Sequence, residues 1–271
     1  VESLTQCLIC GADRLDPLIA VDGWTIVECR ACRLGMLSPR PDDKELSALY
    51  QEPYFASHGM DRDSTGEVAR RIRDQRKRVN LVKSFVRGGK LLDVGCAVGY
   101  FLAAANREGF AVEGVERSVW ATEEAKRRFS VNAHVGDIDR LADGEPRFDA
   151  VTMWHVLEHT PDAASALTAA RTLLRAKGKL FIEVPNYLGT DAKGYGTDWS
   201  GWDVPNHLWH FTPGSLSKLL AKCGFQVVSI KRHPSTYIRN RLKTIPVVGL
   251  FRNLVCLLYS GRDFTVVAAK A

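Results

Sequence analysis

From residue 88 onward the chain alternates short apolar runs with amphipathic stretches, the pattern of repeated strand–helix units. KLLDVG (90–95) reads as a buried strand and leads into a helix over 99–108. AVEGVE (111–116) is a second strand, followed by a helix over 118–129, and a short third strand falls near 132–136. RFDAVTM (147–153) is the fourth, with a helix over 161–176 behind it; GKLFIEV (178–184) is the fifth. TPGSLSKLLAKCG predicts a helix after Thr212, FQVVSIKR (225–232) a sixth strand and FTVVAAKA (264–271) a seventh. This rhythm implies an α/β fold whose mainly parallel sheet carries helices on both faces. No regular crossover helix separates the last two strands, so the last is expected to run antiparallel.

The pattern differs before residue 88. Between 67 and 86 apolar residues recur at Val68, Ile72, Val79, Val82 and Val86, with seven Lys/Arg between 70 and 83. That predicts one amphipathic helix with a basic outer face. DDKELSALY (42–50) predicts a short helix, followed by an aromatic turn at Tyr54–Phe55, and the breaker Ser38-Pro39-Arg40-Pro41 closes the first forty residues. The expected organisation is therefore a module over 1–40, a helical connector and cap over 41–87, and the main domain over 88–271.

The cysteines define that first module. Cys7-x2-Cys10 and Cys29-x2-Cys32 are two close pairs separated by eighteen residues. Seven cysteines in all, an odd number, argue against a disulfide framework. Two knuckles of this spacing suit a tetrahedral four-cysteine zinc site, structural because no position stays open. Cys96, Cys223 and Cys256 sit in apolar surroundings and read as packing residues.

Composition narrows the class without naming it. The 271 residues are 45% hydrophobic and 25% charged, a globular balance that suits one α/β domain plus a small module. No apolar run reaches membrane-spanning length. VESLTQCLIC at the start does not read as a secretory signal, so a cytoplasmic location is expected.

The most informative stretch is Asp93-Val94-Gly95-Cys96-Ala97-Val98-Gly99-Tyr100-Phe101, a strand entering a small-residue turn and then a helix. Such a turn lets a ligand approach the backbone at a helix N-terminus. Glu116, 21 residues after Gly95 at the end of the second strand, is placed to take both hydroxyls of a ribose. Dinucleotide sites want G-x-G-x-x-G, whereas Ala97 and Tyr100 stand at the second and third glycine positions. Asp93 would repel a pyrophosphate but suits an ammonium group. The combination favours an amino-acid nucleoside, S-adenosylmethionine.

With these motifs the sequence resembles the class I S-adenosylmethionine-dependent methyltransferases over residues 88–271. DVGCAVGYF matches the family's first motif, VEGVERS its second-strand motif, and VGDID its adenine-binding turn. WHVLEH followed by GKLFIEVPN is similar to the ubiquinone-biosynthesis-type branch and its sugar-methylating relatives. The resemblance implies a Rossmann-like seven-stranded sheet and a cofactor site of Asp93, Gly95, Cys96, Gly99, Tyr100, Phe101, Glu116, Arg117, Asp137, Ile138, Trp154 and His155. It also implies a substrate lid over 186–211 and, for this combination with a zinc module, a small-molecule or sugar/glycan-precursor acceptor.

Methyl transfer asks the protein to align a nucleophile and remove its proton. Histidine is the natural base near neutral pH. His207, in WDVPNHLWHFTP, is the expected general base by similarity, with His155 beside the cofactor and Tyr54 folded over the site. For His210 the expectation is a packed ring against Trp209 and Phe211. Glu158 and His159 suit substrate orientation, a metal, or a structural helix start, and Trp199, Trp202 and Trp209 suit either a flat ligand or lid packing.

From Val204 to Arg262 there is no acidic residue but nine Lys/Arg, against a net charge of +6 for the whole chain. This region includes the basic, apolar segment 238–259, inside an insertion over 233–262 between the last two strands. It suits an anionic acceptor or peripheral contact with an acidic membrane; packing on the protein or across a homodimer is the other option. An RNA base methyltransferase and a non-catalytic zinc-ribbon binding module are the competing functions. Nucleic acid is the weaker partner, because neither an Asn-Pro-Pro-Tyr motif nor a Pro-Cys nucleophile is present.

Overall fold

The computed structural model describes residues 3–42, 45–46, 52–57, 59–60, 64–243, 245 and 251–271. The first strands, β1 (Leu15–Val21), β2 (Trp24–Cys29) and β3 (Gly35–Leu37), form an antiparallel meander. The main sheet comprises β4 (Gly89–Val94), β5 (Phe110–Glu116), β6 (Asn132–Val135), β7 (Phe148–Trp154) and β8 (Leu174–Pro185). A two-residue strand, β9 (Trp209–His210), follows, then β10 (Phe225–Pro234) and β11 (Ser260–Lys270). The seven strands lie in the order β10-β11-β8-β7-β4-β5-β6. β4 to β8 pair in parallel, and β11 runs antiparallel to both β8 and β10, as the missing crossover helix requires.

All seven expected strands are present. The central residues of β4, β7, β8 and β11 are buried on both faces, because helices such as 100–107, 119–129 and 163–173 cover the sheet, whereas edge strand β10 leaves Val228 and Ile230 exposed. Gly114, in mid-strand, is explained by Cys96: a Cβ there would sit 2.6 Å from the Cys96 sulfur. The buried thiol thus occupies the space a larger residue would need.

Three expectations change. The single helix over 67–86 is two, Thr65–Asp74 and Arg76–Phe85, joined at Gln75, whose N–H bonds the Ile72 carbonyl. The break re-aims the second helix, so that Arg78 leaves the solvent face and reaches Glu183 at 2.6 Å. The Tyr54–Phe55 turn is instead part of helix Glu52–Ser57. Phe55 packs on Trp120 there, with ring centroids 5.6 Å apart. The fifth strand begins at Leu174, four residues early, because Leu174 already pairs with Phe148 of β7 where the helix ends at Leu173. Most of the helix expected over 42–50 lies outside the described residues.

β9 lies far along the chain yet pairs with β3, Gly35 opposite His210 and Met36 opposite Trp209. Leu208, Trp209 and Phe211 share one core with Ile26, Cys29, Met36 and Leu37. Tyr187 adds a tie by donating its hydroxyl to the Glu28 carboxylate at 2.6 Å. The segment after β8 is thus clamped to the N-terminal strands.

Between β10 and β11 stand helices Thr236–Leu242 and Arg252–Val255. The first is anchored by buried Asp191, which accepts from the Thr236 hydroxyl at 2.6 Å and the Tyr237 amide at 3.2 Å. Leu254, Leu257 and Leu258 are exposed, Leu258 to 83%. Residues 244 and 246–250 of the expected basic, apolar segment lie outside the described residues. Among the described residues no helix is long and apolar enough to cross a membrane.

Candidate active site

The turn after β4 takes positive φ at Gly95 (+67°), Ala97 (+46°) and Gly99 (+84°). A Cβ on Gly95 would stand 2.5 Å from Val156, and one on Gly99 would stand 3.0 Å from Ala125. Glycine is therefore required at both. Ala97 pays the left-handed penalty without that need, at roughly 1–2 kcal/mol. Ala97→Gly is expected to stabilise the fold by about 0.5 kcal/mol, after the larger unfolded-state entropy of glycine is set against the relieved strain. A lower melting temperature for this variant would contradict that.

Glu116, at the end of β5, holds the turn in place. Its two carboxylate oxygens accept the amides of Ala97 and Ser118, each at 3.0 Å. Burial pushes its pKa up, and those amides oppose the shift. A carboxylate offers about four acceptor sites, so both oxygens retain capacity for hydroxyl donors. Asp93 lies deeper: it pairs across the sheet with Thr152, whose hydroxyl donates to it at 2.6 Å. Burial raises its pKa to about 7.

A cavity of about 400 Å³ opens at the C-terminal ends of β4, β5 and β7, within the size range of small-molecule sites. Gly95, Glu116, Arg117, Asp137, Ile138, Trp154 and His155 line it, as do Tyr54 and His207. Five expected cofactor residues do not: Asp93, Cys96, Gly99, Tyr100 and Phe101. Tyr100 instead meets Arg128 at 3.1 Å through its hydroxyl, and Phe101 packs edge-on against Trp154 at 5.3 Å. These five shape the turn and its helix from behind.

Opposite Glu116 the cavity wall is ionic. His155 sits between Glu158 (3.2 Å) and Glu183 (3.3 Å), and Arg78 also bonds Glu183. Burial disfavours the charged ring, yet the two carboxylates outweigh it and raise its pKa to about 9. A cationic His155 has no lone pair with which to take a proton. His207 is the opposite case, its pKa lowered to about 4 by burial. Its Nδ1 donates to the Gly201 carbonyl at 2.9 Å, which leaves Nε2 as the acceptor nitrogen, 3.6 Å from Asp203. Tyr54 is pushed up to about 12, by burial first, and remains a phenol.

Arg78, Met60 and Asp203 also line the cavity and were not singled out from the sequence, and so does Arg262, which counted there only as part of the basic stretch 204–262. Only Asp203 left a signal there, the i,i+4 acid–histidine spacing to His207. Arg78 was hidden in a basic run that read as solvated.

The three indoles Trp199, Trp202 and Trp209 do not line the cavity. Trp199 and Trp202 pack edge-on at 5.0 Å, the Trp202 Nε1 donates to Gly196, and Arg40 lies over Trp209 at 4.3 Å. They hold the irregular segment together. His210 is buried, as expected, but against Trp202 and His207 rather than Trp209 and Phe211.

At the other end of the clamped segment the four cysteines converge. Cys7–Cys32 and Cys10–Cys29 sulfurs are each 3.6 Å apart, and one sulfur from each residue lies within 4.8 Å of the others. Both knuckles share one geometry: the Gly11 amide bonds the Cys7 carbonyl and the Arg33 amide the Cys29 carbonyl, each at 2.9 Å. Gly11 and Arg33 both take positive φ.

A family model described as a methyltransferase domain matches residues 64–230. A ubiquinone biosynthesis O-methyltransferase of Alkalilimnicola ehrlichii is 36% identical over 105 residues, covering 36% of this chain and 42% of that protein. The chain thus spans less than half the length of that curated relative. A SAM-dependent methyltransferase structure from Archaeoglobus fulgidus superposes with a TM-score of 0.59 at 20% identity, covering 80% of this chain and 99% of that one. The 1,6-didemethyltoxoflavin-N1-methyltransferase of Burkholderia thailandensis, solved with S-adenosylhomocysteine, gives 0.56 at 21% identity over 94% of this chain and 99% of that one. At these identities the structural likeness speaks for the fold.

Proposed function

The chain belongs to the methyltransferase-domain family, and from that premise we propose that it moves a methyl group from S-adenosylmethionine to a hydroxyl oxygen of a small-molecule acceptor. One observation carries this reading: a single cavity is lined both by Glu116, Asp137 and Ile138 and by Tyr54, Asp203 and His207. The first group suits a nucleoside, with Glu116 on the ribose and buried Ile138 against the base. The second suits an acceptor. The ubiquinone-type relative supports oxygen as the methylated atom.

S-adenosylmethionine supplies an electrophilic methyl on a sulfonium sulfur. The protein's own work is alignment and proton removal. His207 Nε2 takes the hydroxyl proton as the O–CH3 bond forms and the S–CH3 bond breaks, and S-adenosylhomocysteine leaves. The Gly201 carbonyl fixes the tautomer, and Asp203 stands ready for the imidazolium. His155, already cationic, and Arg78 hold the opposite wall. Arg262 lines the same cavity and would meet an anionic acceptor such as a sugar phosphate or glycan precursor.

The four cysteines fit a structural Zn2+. Tetrahedral Zn–S bonds of about 2.3 Å place sulfurs about 3.8 Å apart, close to the 3.6 Å observed for two of the pairs.

Calorimetric titration with S-adenosylhomocysteine tests the cofactor assignment. The wild-type chain is expected to bind, and Glu116→Gln to bind about 10- to 100-fold more weakly, through loss of charge-assisted hydrogen bonds worth roughly 1.5–3 kcal/mol. A folded wild-type chain that shows no heat of binding would sink the proposal.

A further inference from the structure

His159 and His207, which line the cavity, stand beside a buried carboxylate that methyl transfer alone does not explain. Glu158 is fully buried, and its Oε2 has no hydrogen-bond partner, while Oε1 is held by His155. A buried carboxylate oxygen without a donor is costly and needs a partner. His159 and His207 pack edge-on beside it, ring centroids 4.5 Å apart. One ligand atom from each of Glu158, His159 and His207 lies within 4.8 Å of the other two.

Both rings are also oriented as metal ligands are. His159 Nδ1 meets the Asn206 carbonyl at 3.1 Å, and His207 Nδ1 meets the Gly201 carbonyl at 2.9 Å. Histidines that bind metals characteristically donate their second nitrogen to a carbonyl or carboxylate, which fixes the ring and leaves Nε2 as ligand.

We propose that Glu158, His159 and His207 form a second metal site, which binds a divalent first-row cation of the zinc type and presents it to the acceptor oxygen. Two imidazoles and one carboxylate select such a cation over the oxygen-only preference of magnesium or calcium. Ligand atoms about 2.1 Å from the ion would stand about 3.4 Å apart in tetrahedral geometry, so the three groups close inward modestly on binding. With three protein ligands, a coordination position stays open for the acceptor hydroxyl.

This inference rests on the methyl-transfer reading and changes one role within it. With the cation bound, His207 Nε2 is a ligand, and the hydroxyl's acidity is raised by coordination rather than by a histidine base. The proton then passes to Asp203, 3.6 Å from His207 Nε2 and partly open to solvent. The methyl group again leaves sulfur for oxygen.

Zinc counting tests it. The full chain, equilibrated with Zn2+ and separated from excess by gel filtration, is expected to carry one more zinc per chain than isosteric Glu158→Gln or His159→Ala treated in the same way. Equal counts in the wild type and a folded Glu158→Gln overturn the site, as does a wild-type chain holding no more than the single ion of its cysteine cluster. S-adenosylhomocysteine titration of the wild type is read separately. Failure there removes the methyl-transfer reading and leaves the zinc count to stand alone.

Discussion

Cys29→Ser is expected to release the proposed zinc from the cysteine cluster and destabilise the protein by more than about 4 kcal/mol, on the order of 10 °C in melting temperature for a chain of this size. Cys29 closes β2 and is fully buried, with Ile26, Leu34, Met36 and Leu37 packed in the same core. The meander has few residues to bury, and in such small modules the free energy of metal binding is folding free energy. The damage should not stop at residue 42. β3 pairs with β9, which begins two residues after His207, and Leu208 and Trp209 belong to the same core as the cysteines. Loss of the module therefore unclamps the acceptor wall, and any methyl transfer should fall with the zinc. Metal analysis and a melting curve on the same sample check this. A metal-free Cys29→Ser chain that melts within about 2 °C of the wild type would mean that the cluster contributes no folding energy.

His207→Ala is expected to cut methyl transfer by about 10²- to 10⁴-fold, the usual worth of a positioned acid–base group, while S-adenosylhomocysteine affinity stays close to that of the wild type. The reason for the split lies in which groups meet which ligand: the proposed cofactor contacts come from the turn of Gly95, Ala97 and Glu116, and His207 is not part of that turn. Labelled methyl transfer to hydroxylated acceptors, run beside the binding titration, separates the two effects. The loss is expected whether His207 takes the proton itself or holds the cation. Glu158→Gln distinguishes the roles, because it leaves the cysteine cluster and His207 in place: a histidine base keeps working without the second cation, and a metal ligand does not. An His207→Ala enzyme with wild-type turnover would remove the residue from either role.

Much of the fold was legible because the signals are local. Each strand of the main sheet announced itself as an apolar run bounded by turn residues, and the absent crossover helix foretold the antiparallel β11. The Gly95–Gly99 turn and Glu116 were readable for the same reason: their spacing is set by one strand–turn–helix unit. The two CxxC pairs needed only their own knuckles. Where reading failed, distant packing had intervened. Gln75 broke a helix whose apolar period ran on unbroken, and Tyr54–Phe55 became helical beside Trp120. Tyr100 and Phe101, adjacent to the glycine turn, face the core because helix 100–107 presents them to Arg128 and Trp154 rather than to the cavity.

By itself the sequence determined the seven strands of the main sheet, the glycine turn with its acid, and the pairing of the four cysteines into two knuckles, since all follow from backbone conformation and spacing within a few tens of residues. Only the tertiary structure decided which face Arg78 presents, that β9 joins the N-terminal sheet, and that Glu158 meets His159 and His207, the two histidines lining one cavity with Asp203. Those outcomes depend on burial. An arginine enters a wall when a carboxylate 105 residues away offers it a partner, and a glutamate oxygen is left unpaired only when its neighbours have closed around it.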